Sequence, residues 1–225
     1  MEDKTLGKLG GICSVLVGAS YVVAGITYVL APVEQQPTSP PEVFLPSFAQ
    51  NPTALTIQYW ALAVGALFAL GAVLAISQVV RSVNEGWVRW TSTLATLGFS
   101  VVAVDNFRNV GFQSGRALAF VEGDAATRLA LGVSGPFSLD PQGWLGFGAV
   151  GLWVLVVSLL ALRSGRLRAP LPQLGIGVAI AYFLVVAGLV LSMEALIAIA
   201  AGVGGVILGP VWYVWIGLGL QRDAA

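Results

Sequence analysis

Apolar residues in this chain come in long blocks separated by short polar stretches. A helix rises 1.5 Å per residue, so about 20 apolar residues cross the ~30 Å hydrocarbon core of a bilayer. Six segments meet that length: 9–31, 55–80, 90–112, 143–162, 173–192 and 195–220. The pattern therefore predicts an all-α, polytopic membrane protein, a single domain of six transmembrane helices over 1–225. The first block, Leu9 to Ala31, exceeds the 7–15 residues of a signal-peptide core and is read as a retained helix. The last two blocks share one apolar stretch, broken at Ser192-Met193-Glu194, where the turn is placed.

Local chemistry marks several ends. Asn51-Pro52 and Asp140-Pro141 each set a capping side chain before a proline, which predicts the starts of helices two and four. Gly209-Pro210 interrupts the sixth helix and predicts a kink, because proline removes a backbone hydrogen bond.

Two connections are long, 32–54 and 113–142, and both are expected on the outer side. The first carries Pro32, Pro37, Pro40, Pro41, Pro46 and Pro52, which favours extended, polyproline-like backbone. Its Val43, Phe44, Leu45 and Phe48 suit either a lid on the helix ends or a plain stiff connector. Within the second, Asp124 to Leu131 predicts a short helix capped by Asp124, ended by Gly132 and lying in the headgroup layer. Lys4, Lys8, Arg81, Arg89, Arg163, Arg166, Arg168 and Arg222 fall on one side of the six-helix arrangement, and Arg116 and Arg128 on the other. The positive-inside rule then puts both termini in the cytoplasm.

Small residues recur inside the blocks. Gly11, Gly18 and Gly25 repeat at seven-residue spacing with Ser14 beside them, and Ala61, Gly65 and Ala69 at spacing four. Such stripes let helices approach closely, and packing is the main attraction between helices in lipid. One Gly-rich face is available to a partner subunit, in a homo-oligomer or a larger membrane complex.

The third block carries the candidate chemistry. Asp105, Asn106, Arg108 and Asn109 lie within five positions of an otherwise oily helix. Intramembrane charges need a partner, water or a function. Asp105 lies about 22 Å above Trp90 along the helix axis, in the outer third of the bilayer. Asp105, Arg108, Asn109 and Phe112 share a helical face that is expected to point into the bundle. Tyr28, Gln58, Tyr59, Gln113 and Glu194 reach the same depth. Two readings stand: an outward-opening pocket anchored by Arg108, which suits a carboxylate or phosphate, or a private Asp105–Arg108 ion pair.

Composition supports the membrane reading and narrows the chemistry. Hydrophobic residues make up 57% of the chain and charged residues 10%, against about 25% charged in soluble domains. Lysine plus arginine and aspartate plus glutamate are both 11, so no basic face points to nucleic acid. The chain has no histidine, which removes the usual ligand of haem, chlorophyll and zinc and the commonest general base. No block contains a lysine for a retinal Schiff base, and the one cysteine, Cys13, reads as a packing residue. The cofactor is therefore unknown and an enzyme is not expected.

Gly18-Ala-Ser-Tyr-Val-Val-Ala-Gly25 and the ending Gly209-Pro-Val-Trp-Tyr-Val-Trp-Ile-Gly-Leu-Gly-Leu220, followed by Arg222, resemble a broad bacterial family of six-helix integral membrane proteins of unknown function. The resemblance implies a multi-pass protein of the bacterial cytoplasmic (inner) membrane and carries no site residues. The expectation is a non-enzymatic membrane protein, either a complex subunit or a binder of a lipid or small amphiphile through Asp105, Asn106, Arg108, Asn109, Gln58, Tyr59, Tyr28 and Glu194. The alternative is a small-solute permease or the substrate-binding component of a transporter.

Overall fold

The computed structural model describes residues 2–36, 39–133 and 138–224, so Pro37 lies outside the described residues. Every regular element among them is helical. In chain order they are α1 (Glu2–Leu30), a 3-10 turn (Val33–Gln35), α2 (Pro41–Gln50), α3 (Thr53–Val80), α4 (Glu85–Glu122) and α5 (Ala125–Val133). A π-helical turn (Trp144–Ala149) leads into α6 (Val150–Ser164), followed by α7 (Leu171–Val190) and α8 (Glu194–Ala201). A second π segment (Gly202–Leu208) joins α8 to α9 (Gly209–Ala224).

Five stretches are long and apolar enough to cross a membrane: Lys4–Leu30, Thr53–Val80, Trp144–Ser164, Leu171–Val190 and Glu194–Arg222. The chain is a multi-pass membrane protein. The third expected block is the exception. It falls inside α4, but α4 is 38 residues long, about 57 Å at 1.5 Å per residue, and too polar to rank with the five. Ser92, Thr93, Thr96, Ser100, Asp105, Asn106, Arg108 and Asn109 dilute its hydropathy.

α1 lies between α3 and α9, α4 packs on α3 and α6, and α7 packs on α6, α8 and α9. Trp153, Trp212, Tyr213, Phe99, Ile76 and Ile216 fill the centre. Large apolar side chains such as Ile12, Leu67, Leu74, Leu97, Ile180 and Ile199 face outward, as lipid-facing positions do. The glycine stripe of α1 meets α9 and the π segment before it. A methyl group at Gly11 would come within 2.6 Å of Gln221 Cγ, at Gly18 within 2.5 Å of Val214 Cγ2, and at Gly25 within 2.6 Å of Val206 Cγ1. Gly18 also sits 3.0 Å from the Pro210 carbonyl by the same measure, so backbone meets backbone there.

The expected turn between the last two blocks falls where placed, α7 ending at Val190 and α8 starting at Glu194. Where a kink was expected, a π segment precedes Pro210. The Gly209 N–H bonds back five residues to Gly204 O, which widens the helix before the proline. Asp140 accepts from the N–H groups of Leu145 (2.8 Å) and Gly146 (2.7 Å) and so serves the start of the fourth block, but Pro141 is not its first helical residue: a turn intervenes and the helix begins at Trp144, after Gly143. Asn51 does not cap α3; it closes the C-terminus of α2, and Pro52 precedes α3 without a side-chain cap.

Both long connections are more ordered than expected. Residues 41–50 form a helix rather than extended backbone, with Pro41 preset for its first turn. Leu45 and Phe48 are buried against Leu55, Ala117 and Phe120, and that apolar contact outweighs the proline content. The expected 113–142 loop begins only after Glu122, because α4 continues through Ala117 and Phe120 to meet α2. Arg128 Nε donates to Phe120 O (3.1 Å) and Arg128 Nη2 to Val121 O (3.0 Å), satisfying carbonyls at the end of α4. α5 is capped as expected. Asp124 Oδ1 accepts from the Thr127 N–H at 2.8 Å, which holds its carboxyl below the usual range. It ends at Val133, one residue beyond Gly132.

Gly18→Leu should lower stability by about 1–3 kcal/mol through overpacking, read as a fall in the thermal midpoint in detergent. Gly219→Leu, where an added methyl meets nothing within 4 Å, is the control. Equal midpoints for the two variants would show that α1 and α9 do not depend on that approach.

Candidate functional site

The end of the bundle that carries α2 has its own small core of Leu45, Phe48, Leu55, Ala117 and Phe120. Beside this core is a cavity of about 270 Å³. Helical periodicity supplies two of its walls. Asn109, Gln113 and Arg116 on α4 are spaced four and three apart, and Leu55, Gln58 and Tyr59 on α3 three and one apart, so each set shares a face. Tyr28 from α1 and Pro41, Phe44 and Leu45 from α2 close the sides. Gln35 and Ser39, from the segment before α2, complete the lining.

Gln35 is 2% exposed. Its Nε2 donates to Asn51 O at 3.1 Å and to Ser47 Oγ at 3.3 Å. A backbone carbonyl only accepts, so this contact fixes which end of the amide is nitrogen. Gln35 Oε1 is then a buried acceptor with no protein partner, and so is Gln58 Oε1. Gln113 is also buried. Arg116 Nη2 donates to Leu131 O at 2.9 Å and ties α5 to the cavity wall. Burial pushes the Arg116 guanidinium below its ordinary pKa, and it remains a cation.

Four of the eight expected residues, Tyr28, Gln58, Tyr59 and Asn109, meet at this cavity. The others lie elsewhere. Asp105 Oδ2 accepts from Ser138 Oγ at 2.8 Å, and its two oxygens accept from the Leu139 N–H at 3.2 and 3.1 Å. Ser138 Oγ accepts in turn from the Asp140 N–H, so Asp105 anchors the turn that enters α6. Asn106 Nδ2 returns to Val102 O of its own helix at 2.8 Å. Arg108 is half-buried and does not line the cavity. Glu194 is exposed at the start of α8, where its charge suits the helix N-terminus. The expected inward face of α4 does not hold together, because Phe112 is 70% exposed.

The cation at the cavity is therefore Arg116, not Arg108. Its signal was the seven-residue step from Asn109, hidden while the helix was ended at 112. Gln35 had no signal, since a single glutamine in a proline-rich connector reads as solvent-exposed.

The family model described as "Domain of unknown function (DUF4386)" matches residues 16–217. The chain belongs to the DUF4386 family. Comparison with curated proteins and with solved structures returned no match. In this DUF4386 chain the match runs from inside α1 to inside α9, and so takes in every element that lines the cavity.

Asp105→Ala should release the turn at 138–140. Exchange of the Leu139 amide proton for deuterium should quicken at least about tenfold, as expected for loss of a charge-assisted hydrogen bond. Unchanged exchange would mean that Asp105 does not hold the turn.

Proposed function

We propose that this DUF4386 protein is a non-enzymatic protein of the bacterial inner membrane that holds a lipid or small amphiphile in the cavity beside α2. The observation that carries the reading is the cavity itself, with polar side chains from α1, α3, α4 and the segment before α2, and the apolar face of α2 across it. Ligand sites typically combine a concave apolar wall with a few convergent polar groups. Small residues along helix faces leave room for it to act as a subunit of a larger complex.

In this reading α4 is the sixth span. Hydroxyl groups along it are answered within the helix: Thr91, Thr96 and Ser100 donate to the carbonyls of Trp87, Ser92 and Thr96 at 2.8 Å each. Self-satisfied hydroxyls cross hydrocarbon far more cheaply than open ones. Both termini are cytoplasmic, with Arg81, Arg89, Arg163, Arg166 and Arg168 on that side. The α2 and α5 end then sits at the outer leaflet. The last ten residues of α4 project past the span and carry α2 and α5.

Topology is tested with single cysteines at Ser82 and Glu122 in a Cys13→Ser background. A membrane-impermeant maleimide should label Glu122→Cys in intact spheroplasts and Ser82→Cys only after permeabilisation. Labelling of both from one side would remove α4 as a span.

Binding is tested by native mass spectrometry of the gently extracted protein. A lipid or amphiphile adduct should be present, and Leu55→Trp and Asn109→Trp, which fill the cavity from α3 and from α4, should each reduce it at least about tenfold. Thermal midpoints report whether each variant is folded. An adduct unchanged in both variants would overturn the reading.

A further inference from the structure

The cavity wall is unusual in what its polar groups are. Gln35, Gln58, Asn109 and Gln113 are carboxamides, and among the described lining residues there is no aspartate or glutamate and the charge is the cation Arg116. A cationic head group such as choline would find no counter-charge there and would meet Arg116 instead. The two buried oxygens, Gln35 Oε1 and Gln58 Oε1, are acceptors that need donors. A bare phosphate or carboxylate has only acceptors to offer. A hydroxyl group supplies a donor and an acceptor together: it can donate to Gln35 Oε1, whose nitrogen is already engaged by Asn51 and Ser47, and two neighbouring hydroxyls can pair with the carboxamide of Gln58. Tyr59 and Phe44 add apolar ring surface to the same wall, suited to the C–H face of a sugar or glycerol.

Size points the same way. A volume of about 270 Å³ lies just below the range of drug-sized pockets, roughly 300–1,000 Å³. It is room for a head group and not for acyl chains, which would remain in the bilayer. Gln35 also reaches Ser47 on α2 and Asn51 at its end, so the segment that reads the ligand is tied to the helix that covers it. Both unmet oxygens are sealed in this conformation, so recognition through them requires α2 to lift from α4, a movement that belongs to the inference.

From these observations we infer that the ligand is an amphiphile with a polyol head group, a glycerol or a sugar, recognised by Gln35 and Gln58. This rests on the cavity being the binding site, as proposed above. The test uses the full-length protein and equimolar phosphatidylcholine, phosphatidylglycerol and monoglucosyl diacylglycerol, with retained lipid counted by native mass spectrometry. Phosphatidylglycerol and the glucosyl lipid should both be retained at least about tenfold over phosphatidylcholine. Gln35→Leu and Gln58→Leu should each bring that ratio down toward one, with thermal midpoints confirming that the variants are folded.

Three results would overturn the inference. Equal retention of phosphatidylcholine, still abolished by Leu55→Trp, would leave the cavity as a site and remove the polyol preference. Retention of phosphatidylglycerol without the glucosyl lipid would make the preference one for negative charge. Retention indifferent to Leu55→Trp would remove the cavity reading itself.

Discussion

Hydrocarbon offers no hydrogen-bond partner, and the arrangement of this chain follows from answering polar groups internally. Backbone groups are answered by helices, and side chains by the helix they sit on or by the segment beside it. Thr91, Thr96, Ser100 and Asn106 all return to carbonyls of α4. Asp105, one turn before the cavity wall, answers Ser138 and Leu139. In the centre of the bundle, Trp153 Nε1 donates to Ser77 Oγ at 2.9 Å. Groups left over from this accounting are the informative ones. Gln35 Oε1 and Gln58 Oε1 are two of them, and both residues line one cavity.

Helix contact supplies the rest of the stability, and it depends on small residues. With lipid as apolar as leucine, helices gain little by hiding apolar side chains from it. They gain by close contact, which Gly11 and Gly18 allow between α1 and α9, and Gly25 between α1 and the π segment before it. On the other side of α1, a methyl group at Gly71 of α3 would meet Cys13 Sγ at 2.7 Å. Cys13 is thus a packing residue between two helices, as a small buried thiol commonly is.

A long helix shapes the cavity. α4 is about 57 Å long, and its C-terminal turns extend beyond its contacts with α3 and α6 to meet α2 and α5. The projecting turns need apolar cover, and α2 and α5 supply it through Leu45, Phe48 and Leu131. Where α2 spans from that projection toward α1 and α3, the surfaces do not close completely, and polar residues line the gap. The proline-rich composition of the connector does not prevent this. Pro41 begins the helix and Pro46 is accommodated within it.

Periodicity and composition alone were enough for the helical class, the membrane setting, the turn at 191–193, the cap at Asp124 and the packing role of the α1 glycines. These features are local or depend on solvent, and a one-dimensional pattern carries both. Tyr28, Gln58, Tyr59 and Asn109 were legible as neighbours because the block pattern put them at one depth, and they line one cavity. Partner choice was not legible. Asp105 and Arg108 are close in sequence, yet the hydrogen bonds of Asp105 reach residues more than thirty positions away. Gln35 and Arg116 became cavity residues only when α2 folded onto an extended α4. That contact is a long-range gain of buried apolar surface, and it decided which polar groups were sealed together and which were left facing solvent or lipid.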